Sequence, residues 1–90
     1  MIVTLEEMKQ YLRVDFDDDD FLIETLIISA TRLCMDITRQ NEDVFEESEN
    51  AKPAVYYAAA YLYEHREEAD HHALTLTLRS LLFGSRKEAF

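Results

Sequence analysis

The stretch that most constrains the fold is residues 54–66 (AVYYAAAYLYEHR), which is apolar on almost every side of the helix that it predicts. It contains four of the chain's five tyrosines, namely Tyr56, Tyr57, Tyr61 and Tyr63. A helix that is apolar all round is typical of a buried element. A chain of 90 residues has little protein with which to cover it, and a chain of this size buries only roughly 60–65% of its unfolded surface. The stretch therefore predicts either a crowded core or a contact with another subunit.

The scarcity of turn-forming residues indicates a helical protein. Glycine and proline occur once each, whereas a sandwich or barrel needs many tight turns. Hydrophobic residues make up 48% of the chain, which is too many for a disordered protein. We predict one all-α domain over residues 1–84, a small bundle of about four helices (two long, two short) with acidic loops. A flexible tail is predicted over residues 85–90.

The charge is concentrated in one half of the chain. Residues 1–50 carry 14 acids against 4 bases, whereas residues 51–90 carry 5 of each. The first half is therefore expected to repel DNA, RNA and anionic membrane surfaces. We expect no signal peptide and no membrane span, because no basic segment precedes an apolar run and no apolar run approaches ~20 residues.

Helix boundaries can be predicted from capping patterns. Thr4 and Glu7 have the spacing of a capping box, which predicts a first helix over residues 5–12. Asp17 is predicted to cap a second helix over residues 21–38, with Asp18, Asp19 and Asp20 in its first turn, where negative charge complements the helix dipole. A third helix is predicted to start between residues 50 and 53.

Two clusters raise the possibility of a metal site. The aspartates at 17–20 could belong to an EF-hand loop that begins at Asp15. Such a loop needs Gly at position 20 and Glu at position 26, and this chain has Asp20 and Leu26 there, so the motif fails. A loose divalent-cation site there is the minor alternative. His71 and His72 are adjacent, and adjacent histidines rarely converge on one zinc ion. We therefore expect no metal and no cofactor.

Two segments are predicted to lack helix. Residues 39–50 are polar and acidic and predict a loop, with Val44 and Phe45 as an anchor that packs on the core or serves a partner. Residues 74–78 alternate Leu and Thr with period two, which is typical of a strand. Because no second strand is available to pair with it, this segment is expected to be an extended linker or to pair with another chain. One helical turn follows over residues 79–83, stopped by Gly84.

We find no residues arranged for catalysis. The chain lacks a glycine-rich phosphate loop, an HExxH motif and a nucleophile elbow. Cys34 falls on an apolar helix row, where it is predicted to be a small buried hydrophobe. The protein is therefore expected not to be an enzyme. Its excess of apolar and aromatic surface favours an oligomer or a binding module.

Three blocks along the chain match the pattern of a known family. The first block is Val3 to Leu5, Lys9, residues 11–15 and residues 17–20, and it continues at residues 22–23, 26–27, Ala30 and Thr38. The second is residues 60–67 (AYLYEHRE), and the third is residues 78–82 (LRSLL) followed by Arg86. In this order and spacing they resemble the small head–tail connector (adaptor) proteins of tailed bacteriophages, a family also described as possible DNA-packaging proteins. The blocks span nearly the whole chain.

The resemblance implies a structural subunit of a phage or prophage virion that catalyses no reaction. Such subunits form a homo-oligomeric ring of about a dozen copies. The ring lies below the portal and extends the DNA channel toward the tail. The implied partners are further copies of the chain, the portal protein and a tail-side head-closure protein. The resemblance further implies that double-stranded DNA passes through without specific binding, that no membrane is involved, and that assembly takes place in the bacterial host cytoplasm.

Two candidate surfaces follow from the residues and the resemblance together. The predicted subunit interface consists of Tyr56, Tyr57, Tyr61, Tyr63, Arg66, Leu76 and Leu78. The predicted channel-facing acids are Asp17, Asp18, Asp19, Asp20, Glu46 and Glu47, since an acidic lumen offers DNA phosphates no cations. The alternative function is an acidic DNA mimic, or another small binding protein, that targets a nucleic-acid enzyme. A mimic is expected to spread its acids over one long face, whereas the acids here cluster in two segments.

Overall fold

Five helices make up the part of the chain that the computed structural model describes, residues 2–83. They are α1 (Leu5–Leu12), α2 (Asp20–Thr38), α3 (Glu42–Glu46), α4 (Ala51–Glu64) and α5 (His71–Phe83). No strand occurs within residues 2–83. The prediction of an all-α bundle is confirmed, with one short helix more than expected. The predicted helix stop at Gly84 and the predicted tail lie outside the described residues.

The long helices α2 and α4 form the centre of the bundle, and α2 contacts all four other helices. On α2 the buried row is Ile23, Ile27, Ala30 and Cys34. The face of α4 that packs here is rich in small side chains, and small side chains let two helix backbones approach closely. Its buried residues are Ala51, Ala54, Val55, Ala58 and Ala59.

The start of α1 follows the predicted capping box. Thr4 Oγ1 accepts a hydrogen bond from the Glu7 amide at 3.1 Å, and the Thr4 amide donates to the Glu7 carboxylate at 3.0 Å. Glu7 also pairs with Lys52 of α4 at 3.0 Å. The pKa of Glu7 is lowered, first by the backbone hydrogen bond from Thr4 and then by the Lys52 side chain. One carboxylate thus caps α1 and joins it to α4.

Helices α1 and α2 both end on an arginine in the left-handed conformation, with φ of 61° at Arg13 and 57° at Arg39. This position usually carries glycine, because a side chain there costs about 1–2 kcal/mol. The chain has one glycine, Gly84. The turns after α1 and α2 are therefore formed against a local conformational cost, which tertiary contacts must offset.

The segment predicted as a loop over residues 39–50 contains α3, so that prediction is wrong for residues 42–46. Asn41 caps this helix by accepting a hydrogen bond from the Val44 amide at 3.0 Å. Phe45 is fully buried, which confirms the anchor that packs on the core. Burial of a phenylalanine side chain contributes about 1.5–3 kcal/mol, and this contact lets a five-residue helix persist.

The strand-like segment over residues 74–78 belongs to α5, so the prediction of an extended linker or an intermolecular strand is wrong. Leu74, Leu78 and Leu82 are spaced four residues apart and are buried on one face of this helix. A leucine at every second position satisfies a helix pattern and a strand pattern equally over so short a window. Packing against α2 and α4 decides in favour of the helix.

Candidate functional site

The four tyrosines of α4 lie on two opposite flanks of the helix. On the flank toward α1, Tyr56 stacks on Tyr11 with ring centroids 4.8 Å apart and planes 12° from parallel. Farther along the same flank, the Tyr63 hydroxyl donates a hydrogen bond to Asp19 at 2.6 Å. Tyr56 and Tyr63 therefore fasten α4 to α1 and to the turn that precedes α2.

The other flank carries a column of three stacked rings. The Tyr57 and Tyr61 centroids are 6.5 Å apart, and the Tyr61 and His65 centroids are 4.2 Å apart. The Tyr61 hydroxyl accepts a hydrogen bond from the Asp70 amide at 3.0 Å. Asp70 in turn accepts from the Ala73 amide at 3.0 Å in the first turn of α5. This column connects the end of α4 to the start of α5, a connection that the sequence did not indicate.

The predicted interface residues differ in how much surface they offer. All four tyrosines are half-buried, so each combines an internal contact with an exposed edge. The Arg66 guanidinium lies 5.0 Å from the centre of the Tyr63 ring, and Arg66 itself is exposed. Leu76 is 55% exposed on the outer face of α5. Leu78 is fully buried by its own chain, so it cannot contact a neighbouring subunit in this conformation, and we remove it from the candidate interface.

The aspartates before α2 are held by Lys9 of α1. The Lys9 ammonium is 3.0 Å from Asp17 and 2.7 Å from Asp20, and its side chain is only 15% exposed. The pKa of Lys9 is raised, first by the hydrogen bond with Asp20 and then by the one with Asp17. Asp19 rather than Asp17 is the N-cap of α2, and it makes no side-chain capping bond. The capping prediction is therefore wrong, because Lys9 and Tyr63 take the carboxylates that would have capped the helix.

Asp19 and Arg66 act on the pKa of Tyr63 in opposite directions, and the effect of Asp19 is the larger. The pKa of the Tyr63 hydroxyl is raised, first by its hydrogen bond to Asp19 and then by burial. The protonated hydroxyl is the form that donates to a carboxylate, so the contact is maintained at neutral pH.

The acids of α3 have a different environment. Glu46 and Glu47 are exposed, and neither has an ion-pair partner within residues 2–83. Phe45 turns into the core while the carboxylates on either side of it face water. Of the six predicted channel-facing acids, Asp17, Asp18, Glu46 and Glu47 are exposed and Asp19 and Asp20 are half-buried.

Sequence reasoning missed an apolar surface on α2. Phe21, in the first turn of α2, is 82% exposed, and Ile28, in the middle of the helix, is 46% exposed. Phe16 is 49% exposed in the turn before α2. The available signal was that Phe21, Ile28 and Met35 follow each other at intervals of seven, outside the row that is buried.

Within residues 2–83 the potential metal ligands and the cysteine are not placed for a metal site or a reactive thiol. No group of three or more His, Cys, Asp or Glu side chains within residues 2–83 could hold a metal ion. Burial raises the pKa of the Cys34 thiol to about 12, so the reactive thiolate is scarce at neutral pH. Among the helices of the described part, none combines the length and apolarity that a membrane crossing requires.

The described chain is an all-α subunit with half-buried tyrosines and exposed acidic segments. The family model for the phage gp6-like head–tail connector protein matches residues 2–88. The chain therefore belongs to this connector family, which confirms the resemblance and gives the protein a structural role between the head and the tail of a phage. Searches of curated proteins and of solved structures returned no significant match.

Proposed function

We propose that the protein is the repeating subunit of a closed ring at the head–tail junction, where it lies below the portal and continues the DNA channel toward the tail. Membership of the connector family supports the location. The observation that carries the channel role is the composition of residues 42–49, which hold five acids and no base. All five of these acids are exposed.

An acidic channel wall suits the passage of DNA. Binding of duplex DNA depends on lysine and arginine side chains that neutralise phosphates. A wall of carboxylates gives passing phosphates no such contact, so DNA moves through without being retained. We assign Glu46 and Glu47 of α3 to this wall, together with the exposed Asp17 and Asp18. Asp19 and Asp20 are half-buried and hold the turn to the subunit, and Asp17, although exposed, is also paired with Lys9.

The subunits contact each other through the outer sides of α4 and α5. A ring needs a heterologous contact, in which two different patches of the same chain meet. Half-exposed tyrosines suit such a patch, because tyrosine is enriched in interfaces. The exposed Leu76 adds an apolar anchor on α5, and Arg66 adds a cation at the end of α4. The portal protein and the head-closure protein bind the two open faces of the ring.

Replacement of Leu76 tests the contact, because this side chain is 55% exposed and its loss leaves the core unchanged. The Leu76→Asp variant should fail to assemble on the portal protein of the same phage, with an unchanged circular dichroism spectrum. Ser29→Asp places the same charge on an exposed position of α2 and should assemble like the wild type. Mass photometry of the mixtures measures the difference. If the wild type does not assemble with the portal and binds a DNA-processing enzyme instead, the proposal is contradicted. That result supports the alternative function, an acidic DNA mimic.

The channel wall is tested by reversing its charge. Glu46→Lys with Glu47→Lys should make the assembled ring retain a short DNA duplex, with an affinity that falls steeply as salt increases. Glu67→Lys with Glu68→Lys makes the same change of charge in the exposed turn after α4 and is expected to retain much less DNA. Equal retention by the two variants, measured by fluorescence anisotropy, contradicts the placement of α3 at the channel.

A further inference from the structure

We infer that the outer face of α2 is self-complementary and pairs two copies of the chain, antiparallel, around a two-fold axis at Ile28. This face consists of Phe21, Ile28 and Met35. Phe21 is 82% exposed, Ile28 is 46% exposed and Met35 is half-buried. The three apolar side chains occupy one stripe on the helix, since a spacing of seven residues turns a helix by only ~20° from two full turns.

The stripe ends in an open surface depression. The depression has a volume of about 270 Å³ and is lined by Ile28, Thr31, Arg32, Met35 and Glu42. A cavity of about 150 Å³ is large enough to bind benzene. An antiparallel pair centred on Ile28 sets Phe21 of one copy opposite Met35 of the other, because both lie seven residues, or ~10 Å, from the centre. Each copy therefore inserts its most exposed phenylalanine into the depression of its partner.

The two charged residues that flank Ile28 favour the same alignment. Glu24 lies four residues before Ile28 and Arg32 lies four residues after it. The antiparallel pair therefore sets Glu24 of one copy level with Arg32 of the other, twice per dimer. Both residues are exposed, and within residues 2–83 neither has an ion-pair partner. A parallel pair sets Glu24 against Glu24 and Arg32 against Arg32, and like charges that face each other are destabilising.

The pairing is independent of the proposed ring. It uses the outer face of α2, whereas the ring contact is placed on α4 and α5. It is also isologous, with the same patch on both copies, whereas a ring is built from heterologous contacts. The surface involved is small, so the dimer is a weak one that forms at high protein concentration.

Cysteine cross-linking tests the position of the axis. Ile28→Cys places a thiol next to its own copy across the axis, so mild oxidation should give a disulfide-linked dimer on a non-reducing gel. Ser29→Cys is the matched control, because Ser29 is exposed on a different side of α2 and should cross-link much less. The native Cys34 is buried and protonated and should not react in the wild type. Equal cross-linking at positions 28 and 29 overturns the pairing.

Charge exchange tests the orientation. Glu24→Arg and Arg32→Glu should each raise the dissociation constant of the dimer by about five- to thirty-fold, since two exposed ion pairs become repulsive contacts. The double variant should restore the wild-type value, measured by sedimentation equilibrium. Failure of the double variant to restore pairing overturns the antiparallel arrangement. If Leu76→Asp abolishes the ring while cross-linking through Ile28→Cys persists, the ring contact and this pairing are separate.

Discussion

The two acidic segments of the chain have the same charge but are held in different ways. Residues 15–20 and residues 42–49 each contain five acids and no base. The first segment is fastened by polar contacts, from Lys9 to Asp17 and Asp20 and from Tyr63 to Asp19. The second is fastened by a buried aromatic ring, Phe45, and its carboxylates remain in water.

The comparison shows that charge in a sequence does not reveal which carboxylates are available to a partner. The contacts of Asp17, Asp19 and Asp20 with Lys9 and Tyr63 form an ionic anchor. Because this anchor consists of the carboxylates themselves, those groups hold the turn and are less available to a partner. An apolar anchor leaves the acids free, and residues 42–49 present all of theirs to solvent. This difference is why we place α3 foremost among the channel-facing elements.

The largest expected effect comes from breaking the apolar anchor. Phe45→Ala should lower the free energy of unfolding by about 3–5 kcal/mol, because it removes a fully buried aromatic ring and leaves a cavity. Val44→Ala is the neighbouring control, since Val44 is 48% exposed, and its effect should stay within about 0.5 kcal/mol. Urea unfolding followed by circular dichroism measures both. A loss below about 1 kcal/mol for Phe45→Ala contradicts the buried position of this ring.

A smaller effect is expected from breaking one contact of the ionic anchor. Tyr63→Phe removes the hydroxyl that donates to Asp19 and should cost about 1 kcal/mol, because this hydrogen bond is only partly shielded from water. Tyr57→Phe is the matched control, since the Tyr57 hydroxyl makes no hydrogen bond within the described chain and the change removes only that atom. Equal unfolding midpoints for the two variants would argue that the contact with Asp19 is not stabilising.

The ionic anchor should also weaken at alkaline pH. The pKa of Lys9 is raised above its ordinary 10.5 and that of Tyr63 above its ordinary 10.0. In both cases the proton is held more tightly in the folded state, so the stabilisation is fully present below pH 10 and is lost as the pH rises through the raised values. The wild type should therefore lose stability more steeply than the Lys9→Met, Tyr63→Phe double variant in alkaline urea titrations. Parallel pH profiles contradict this account.

Much of the fold could be predicted from local patterns. The capping box at Thr4 and Glu7, the span of α2 and the start of α4 follow from capping and spacing patterns, and the structure confirms them. The errors fall where tertiary contacts compete with local rules. Asp17 has the sequence position of a helix cap, yet it pairs with Lys9, which is eight residues earlier and comes close only when α1 folds back.

The candidate surfaces were harder to predict. Leu78 and Leu76 belong to one alternating pattern, and only the docked position of α5 decides that Leu78 is buried and Leu76 exposed. Likewise, the sequence gives α2 a broad apolar face without showing which side meets the core, so the exposure of Phe21 and Ile28 required the packed bundle. The partners of the tyrosines, Tyr11, Asp19 and Asp70, come from other parts of the chain.

The most direct test of the central claim is a cryo-electron microscopy reconstruction of the subunit assembled on its portal. The account predicts a closed ring around an open channel, with α3 and the carboxylates of Glu46 and Glu47 on the inner wall and the outer sides of α4 and α5 at the contacts between subunits. A ring that carries α3 on its outer wall, or the absence of any ring on the portal, contradicts it.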